Sequence, residues 1–202
     1  MCDSLYLKLK ESMEGLELWD YPYDNSYLPE VEDYIRSLTK LEIQPIVDET
    51  KILDKVMSLN LDKRSLLTLD YDGVLSVSSR VRGLMKTYSE VCQVAVLTGR
   101  SYDEINSLRI SDPGFLHSCE LTCTPIIWNT ETVSAKVTSS TYGRMSGAIH
   151  KAQVLSKAMM SYQKVYHIDD DPIVVAKMCQ LQPQLIHRVI LLKVNSESNS
   201  EG

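Results

Sequence analysis

The sequence predicts an α/β fold, a central parallel sheet covered by helices and preceded by an N-terminal helical extension. Short apolar runs at 66–69, 94–97 and 165–168 have the character of strands buried on both faces. Each run ends abruptly at a polar or acidic residue: Asp70, Thr98 or Asp169. Helical stretches separate the runs. Strands alternating with helices imply a parallel sheet with right-handed crossovers, so all strand carboxyl ends share one rim. With 202 residues, 44% of them hydrophobic and 24% charged, the chain is long enough for one sizeable core.

Residues 1–25 show little periodicity, and Trp19, Tyr21, Tyr23 and Tyr27 gather around Pro22. Acids rather than arginines interleave these aromatics, so they read as anchors of an arm, not as a base-stacking surface. From Pro29, the residues Val31, Tyr34, Ile35, Leu38 and Leu41 recur at helical spacing. Pro45 interrupts the pattern. Ile52, Leu53, Val56 and Met57 then mark a second amphipathic helix with Asp48 as its cap. These helices make 1–62 an extension, either a layer on the sheet or a separate appendage.

Leu66, Leu67, Thr68 and Leu69 form the first strand of the body. Asp70 and Asp72 follow two apart, so on extended backbone both carboxylates leave on one side. Gly73 lets the chain turn away and leaves the acids at the carboxyl end, where open α/β sheets bind ligands. Two adjacent like charges there need a cation, a lysine or a proton to balance them, and a hard divalent ion such as Mg²⁺ suits oxygen ligands. A serine-rich turn leads to a helix over 81–88, and Val94 to Leu97 form the next strand, ending in Thr98, Gly99 and Arg100. Ser101 and Glu104 form a capping-box pair, which places an anion-attracting helix start just after that loop.

Residues 110–143 read as a strand at Ile126, Ile127 and Trp128 plus an insertion, with a further strand at Val133 to Thr138 and an exposed loop at Thr138 to Thr141. From Ser146 the pattern is helical, with Ile149, Ala152, Leu155, Ala158 and Met159 on one face and Lys151 off that stripe in the first turns. Val165 to Ile168 make a strand that runs into Asp169, Asp170, Asp171 and Pro172. Asp171 suits the cap of the helix opened by Pro172; Asp169 and Asp170 have no such structural duty. Val189 to Val194 form the last strand, and 195–202 is a polar tail.

Asp70, Asp72, Thr98 and the Asp169/Asp170 pair therefore converge on one rim, within reach of Lys151. Taken singly, Thr98 also reads as a strand-end cap, Lys151 as a solvated helix lysine and Arg100 as a surface charge, and Lys136 and Lys157 remain alternatives to Lys151. Together, Asp-Tyr-Asp-Gly-Val-Leu, Leu-Thr-Gly-Arg, Lys151 and Ile-Asp-Asp-Asp-Pro resemble the four signature motifs of the haloacid dehalogenase superfamily of phosphatases and phosphotransferases. The resemblance covers 66–194 and leaves the N-terminal third unexplained.

The resemblance implies a three-layer α/β/α Rossmann-like catalytic domain over 63–194, of a small-cap or capless type. It implies an Mg²⁺-dependent phosphatase in which Asp70 attacks phosphorus to form an aspartyl phosphate and also ligates the metal. Asp72 would act as general acid and then base, its backbone carbonyl reaching the metal. Thr98 and the Gly99 amide would hold phosphoryl oxygens, Lys151 would offset charge, and Asp170, with Asp169 nearby, would complete the metal site. Arg100 is positioned to grip a second substrate phosphate. The expected substrate is a phosphorylated small molecule or a macromolecule such as a phosphoprotein or a nucleic-acid end. Repair phosphatases commonly continue Asp-Asp-Arg where this chain has Asp-Asp-Asp-Pro, which weakens a repair role.

The net charge of −6 and pI near 5.2 disfavour tight nucleic-acid or anionic-membrane binding, although a local groove could survive that average. Five scattered cysteines without a Cys-x-x-Cys pair fit an intracellular, cytoplasmic setting. His117, Cys119 and Cys123 lack the spacing and the fourth ligand of a zinc site. No apolar run reaches the length of a membrane span. Two rival readings are a HAD-like binding protein without appreciable turnover and a nucleotide-sugar transferase using Asp-x-Asp for metal. Oligomeric state is not legible.

Overall fold

The structure, a computed structural model, describes residues 47–130 and 141–193. Along the chain come β1 (Val47–Asp48), α1 (Ile52–Ser58), β2 (Ser65–Leu69), α2 (Ser79–Ser89), β3 (Gln93–Leu97), α3 (Tyr102–Ser111), α4 (Pro113–Leu121) and β4 (Ile126–Ile127). Then follow α5 (Thr141–Ala158), β5 (Lys164–Asp169), α6 (Pro172–Leu181) and β6 (Val189–Lys193). The strands form one sheet in the order β1-β6-β5-β2-β3-β4, and every neighbouring pair is parallel.

Strand alternation divides the core into two layers. Leu67 and Leu69 of β2, Val94 and Val96 of β3 and Ile168 of β5 pack against α1 to α4 through Ile52, Leu84, Ile105 and Phe115. Leu66, Leu97, Val165 and Leu191 face the other way, onto Ala152 and Leu155 of α5 and Val175 and Met178 of α6. A sheet clothed on both faces explains why the inner strands read as unbroken apolar runs. The expected three-layer parallel α/β architecture is present.

Several elements differ in extent from the sequence reading. Val47–Asp48 pairs with Leu192 and Lys193 at the sheet edge, and Ile52 and Val56 are fully buried. The second helix of the expected extension is thus a layer on the sheet. Asp48 does cap, but it caps a short turn at Glu49–Lys51 that leads into α1. Helix α4 was not anticipated, although Asp112 caps it and Pro113 opens it. Trp128 lies just past β4. Helix α5 starts at Thr141, before the expected start at Ser146, so Lys151 sits in mid-helix rather than in its first turns and Thr141 is helix rather than loop. The first helix of the extension, the aromatic arm, the strand at Val133 to Thr138, Lys136 and the tail fall outside the described residues. Among the described residues, no helix is long and apolar enough to cross a membrane.

Candidate functional site

The site forms where β2, β3 and β5 end. The Asp70 N–H still donates to the Ile168 carbonyl at 2.9 Å, so the strand pairing carries the first acid to the rim. A wide turn follows, closed by Leu75 N–H to Asp70 O at 3.3 Å and Ser76 N–H to Tyr71 O at 2.8 Å. Gly73 lies in this turn with φ +66°, which a side chain resists, and a Cβ there would fall 1.8 Å from Asp170 Oδ2. Only glycine lets the turn lie against Asp170. Gly73→Ala should therefore cost about 1–2 kcal/mol from backbone strain and weaken divalent-cation binding on the order of 10-fold by displacing Asp170. Denaturant melts together with calorimetric cation titration check both effects.

The centre of the site is a buried charge cluster. Lys151 Nζ lies 3.0 Å from Asp70 Oδ1 and 2.8 Å from Asp169 Oδ2. The lysine is only 3% exposed, Asp70 6% and Asp169 0%. It arrives there because Gly143, Gly147 and Lys151 recur every four residues on one face of α5. At Gly147 the helix packs against the Thr98-Gly99-Arg100 loop, where a Cβ would make an ordinary 3.5 Å contact with the Gly99 Cα. Lys157, the alternative lysine, is exposed.

Electrostatics separates the acids. Burial opposes ionisation of Asp169, yet Lys151 and His167 hold its carboxyl far below the usual range. Burial raises Asp70 well above that range, with the charges of Asp169 and Asp72 adding to the effect and Lys151 opposing it. Asp170 is pushed up to about 7 by burial, then by Asp169 and Asp171. Burial also works against the Lys151 charge, but Asp169 and Asp70 keep its pKa above normal. Both Asp169 oxygens are committed, Oδ2 to Lys151 and His167 and Oδ1 to the Asp171 N–H at 3.0 Å. Asp70 Oδ1, though buried, takes no hydrogen bond of good geometry. One carboxylate oxygen from each of Asp70, Asp169 and Asp170 lies within 4.8 Å of the others. An all-oxygen donor set with an unsatisfied buried member fits a hard divalent cation.

A cavity of about 420 Å³ opens onto this cluster, lined by Asp70, Asp72, Gly99, Arg100, Lys151 and Asp170 among others. Asp72 sits at its mouth, its side chain 54% exposed. It accepts a forked pair of bonds from Arg100 Nε at 2.8 Å and an Arg100 terminal nitrogen at 2.6 Å. The Arg100 guanidinium lies over the Tyr71 ring at 4.9 Å, and the Tyr71 hydroxyl donates to Asp112 at 3.0 Å. Thr98 is at the end of β3 but fully buried, its hydroxyl accepting the Arg100 N–H at 3.2 Å. It does not line the cavity, so of the roles weighed for it the strand-end cap describes its contacts.

Asp171 caps α6, accepting from the N–H groups of Ile173 and Val174, and pairs with Arg144 Nε at 3.0 Å. Arg144 lines the cavity and was not singled out from the sequence; nor were Thr68 and His167 beneath the cluster. The signals were weak ones. His167 stands two before Asp169, the strand period, and Arg144 lies beside the first glycine of the four-residue spacing. A second hollow, about 560 Å³, lies between α4 and β4 and is lined by His117, Cys119 and Cys123. Burial pushes the Cys119 thiol up to about 12, away from a metal-binding thiolate. Among the described residues, the three aspartates are the one group placed to share a metal.

No family model, curated protein or solved structure matches this chain.

Proposed function

We propose that the chain is an Mg²⁺-dependent phosphohydrolase of the haloacid dehalogenase type, with Asp70 as nucleophile. The observation that carries this reading is the burial of Lys151 between Asp70 and Asp169, three groups far apart in sequence gathered at the sheet rim. Phosphoryl transfer asks mainly for in-line positioning and offset of spread negative charge. Asp70 attacks phosphorus while the bond to the leaving oxygen breaks, and Asp72 gives that oxygen its proton. Asp72 then takes a proton from the water that cleaves the aspartyl phosphate. Because Arg100 holds Asp72 at the mouth, this duty requires the pair to open, and an incoming phosphate is a suitable competitor for the guanidinium.

Asp70 and Asp170 are the ligands left free to hold Mg²⁺, with Asp169 beside them as the counter-ion of Lys151. When bound, the ion would supply charge compensation for the phosphoryl oxygens. Between β2 and β3 the chain holds one turn and α2, with no large cap, which favours a phosphorylated protein segment or a nucleic-acid end over a small enclosed metabolite. The exposed Asp72 and the buried Thr98 hydroxyl favour a second reading, a HAD-like binding protein that does not turn over.

Phosphate release from a generic aryl phosphate separates the two. Release should stop on adding EDTA and return with excess Mg²⁺. In the metal-free chain Asp170, pushed up to about 7, takes up a proton that the cation must displace, and burial shifts Asp70 in the same direction, so Mg²⁺ affinity should rise between about pH 6 and pH 8. Calorimetry in buffers of different ionisation enthalpy would register the released protons. Phosphate release indifferent to EDTA would overturn the metal-dependent reading, and binding without release would favour the second.

A further inference from the structure

We propose that His167, held in one tautomer by Thr68, is a positioning residue that fixes Asp169 and, through it, Lys151. The proposal rests on the phosphohydrolase reading only for its kinetic consequence. Strand period places Thr68 and Asp70 on one face of β2, and His167 and Asp169 on the matching face of β5, beneath α5. Thr68 and His167 are register partners. Thr68 Oγ1 lies 2.9 Å from His167 Nδ1, and His167 Nε2 lies 3.1 Å from Asp169 Oδ2, the oxygen that also accepts from Lys151. Thr68, His167 and Asp169 are all 0% exposed. Shut away from solvent, these side chains must satisfy one another's hydrogen-bonding needs, which leaves each proton one place.

The carboxylate of Asp169 decides that place. It only accepts, so Nε2 must carry hydrogen, and in a neutral ring Nδ1 is then an acceptor for the Thr68 hydroxyl. The alternative, with the Thr68 hydroxyl turned to the Tyr166 carbonyl at 3.2 Å, sets an Nε2 lone pair against a carboxylate or puts a second buried cation beside Lys151. Held from below by the imidazole and from the side by the Asp171 N–H, the Asp169 carboxylate is fixed in orientation at the cavity wall. Lys151 therefore keeps its ammonium against Asp70, where the phosphoryl group would be attacked.

The test combines spectroscopy and kinetics on the full chain. Long-range ¹H–¹⁵N correlation of the four histidines, with the His167 signals identified by their absence from His167→Gln, should show hydrogen on Nε2 and an acceptor Nδ1. Thr68→Val should move the Nδ1 resonance toward that of a nitrogen without a donor. His167→Leu should lower kcat for phosphate release on the order of 10-fold with little change in KM. His167→Gln, which restores an N–H at the Nε2 position, should recover most of the loss. Hydrogen on Nδ1, an imidazolium, or a Thr68→Val spectrum without a shift would overturn the proposal, as would unchanged kcat in His167→Leu. If His167→Leu fails to fold, the Thr68→Val pair of measurements decides alone. The tautomer assignment needs no turnover, so an inactive wild-type chain would defeat the phosphohydrolase reading and leave the Thr68–His167–Asp169 row to be judged by its resonances.

Discussion

Asp70→Asn should reduce phosphate release by at least roughly 1,000-fold, as expected for loss of a covalent nucleophile, while leaving the metal-free fold as stable as before or more so. The two effects share one cause. Asp70 is buried beside Asp169, and its carboxyl is pushed up by that burial and by neighbouring negative charge against the pull of Lys151. An acid whose pKa is raised on folding favours the native state while protonated. Its contribution is present below the unfolded value near 3.9 and is lost as pH rises through the folded value. Asparagine fills the same space without the charge, and Lys151 keeps its partner in Asp169. With EDTA present, the variant should match the wild type at about pH 4 and exceed it at about pH 8 by on the order of 1 kcal/mol. Urea unfolding at both pH values and a phosphate-release assay check this. A variant with near-parental turnover would remove Asp70 as nucleophile, and one destabilised at high pH would show that its charge supports the fold.

What the sequence made legible follows from what each element needed. The inner strands needed to be apolar on both faces, so an acid at the end of such a run stood out, and Asp70, Asp72, Asp169 and Asp170 were all visible. The capping box at Ser101 and Glu104 is local chemistry and is present as read. Strand β1 was invisible because two residues carry no period; its conformation comes from pairing with β6, far along the chain. The sequence shows helix α5 only from Ser146 onward because its first turns present no apolar stripe, and Gly147 packs against the Gly99 loop. The same feature made Lys151 look like a solvent-facing lysine when the face it occupies is turned to the rim. The Arg100–Asp72 fork joins residues 28 positions apart, and the row from Thr68 to Asp169 spans two strands. The fork leaves no mark in a local window, and the row leaves only the two-residue spacing of His167 and Asp169.

Lys151→Met should be the most damaging single substitution in the site, costing about 3–5 kcal/mol by stranding buried carboxylates without their cation. Methionine matches the volume of the stem, so the loss isolates the charge. Lys151 has its pKa raised on folding and Asp169 has its own lowered. The lysine's share of stability is therefore present below its unfolded value and lost as pH rises through the folded one. The carboxylate's share is present above its unfolded value and lost on acidification. Between about pH 5 and pH 9 both shares are in force in the wild type, whereas in the variant burial raises the stranded acids with no lysine to oppose it, so the deficit should be largest toward pH 9 and shrink as falling pH protonates them. Asp169→Asn in the same background should recover part of the loss, the signature of coupled groups in a double-mutant cycle. Lys157→Met, on the exposed side of the same helix, should stay within about 0.5 kcal/mol of wild type. Equal effects at the two lysines would mean that Lys151 is solvated in solution, and the cluster that supports phosphoryl transfer would lose its centre.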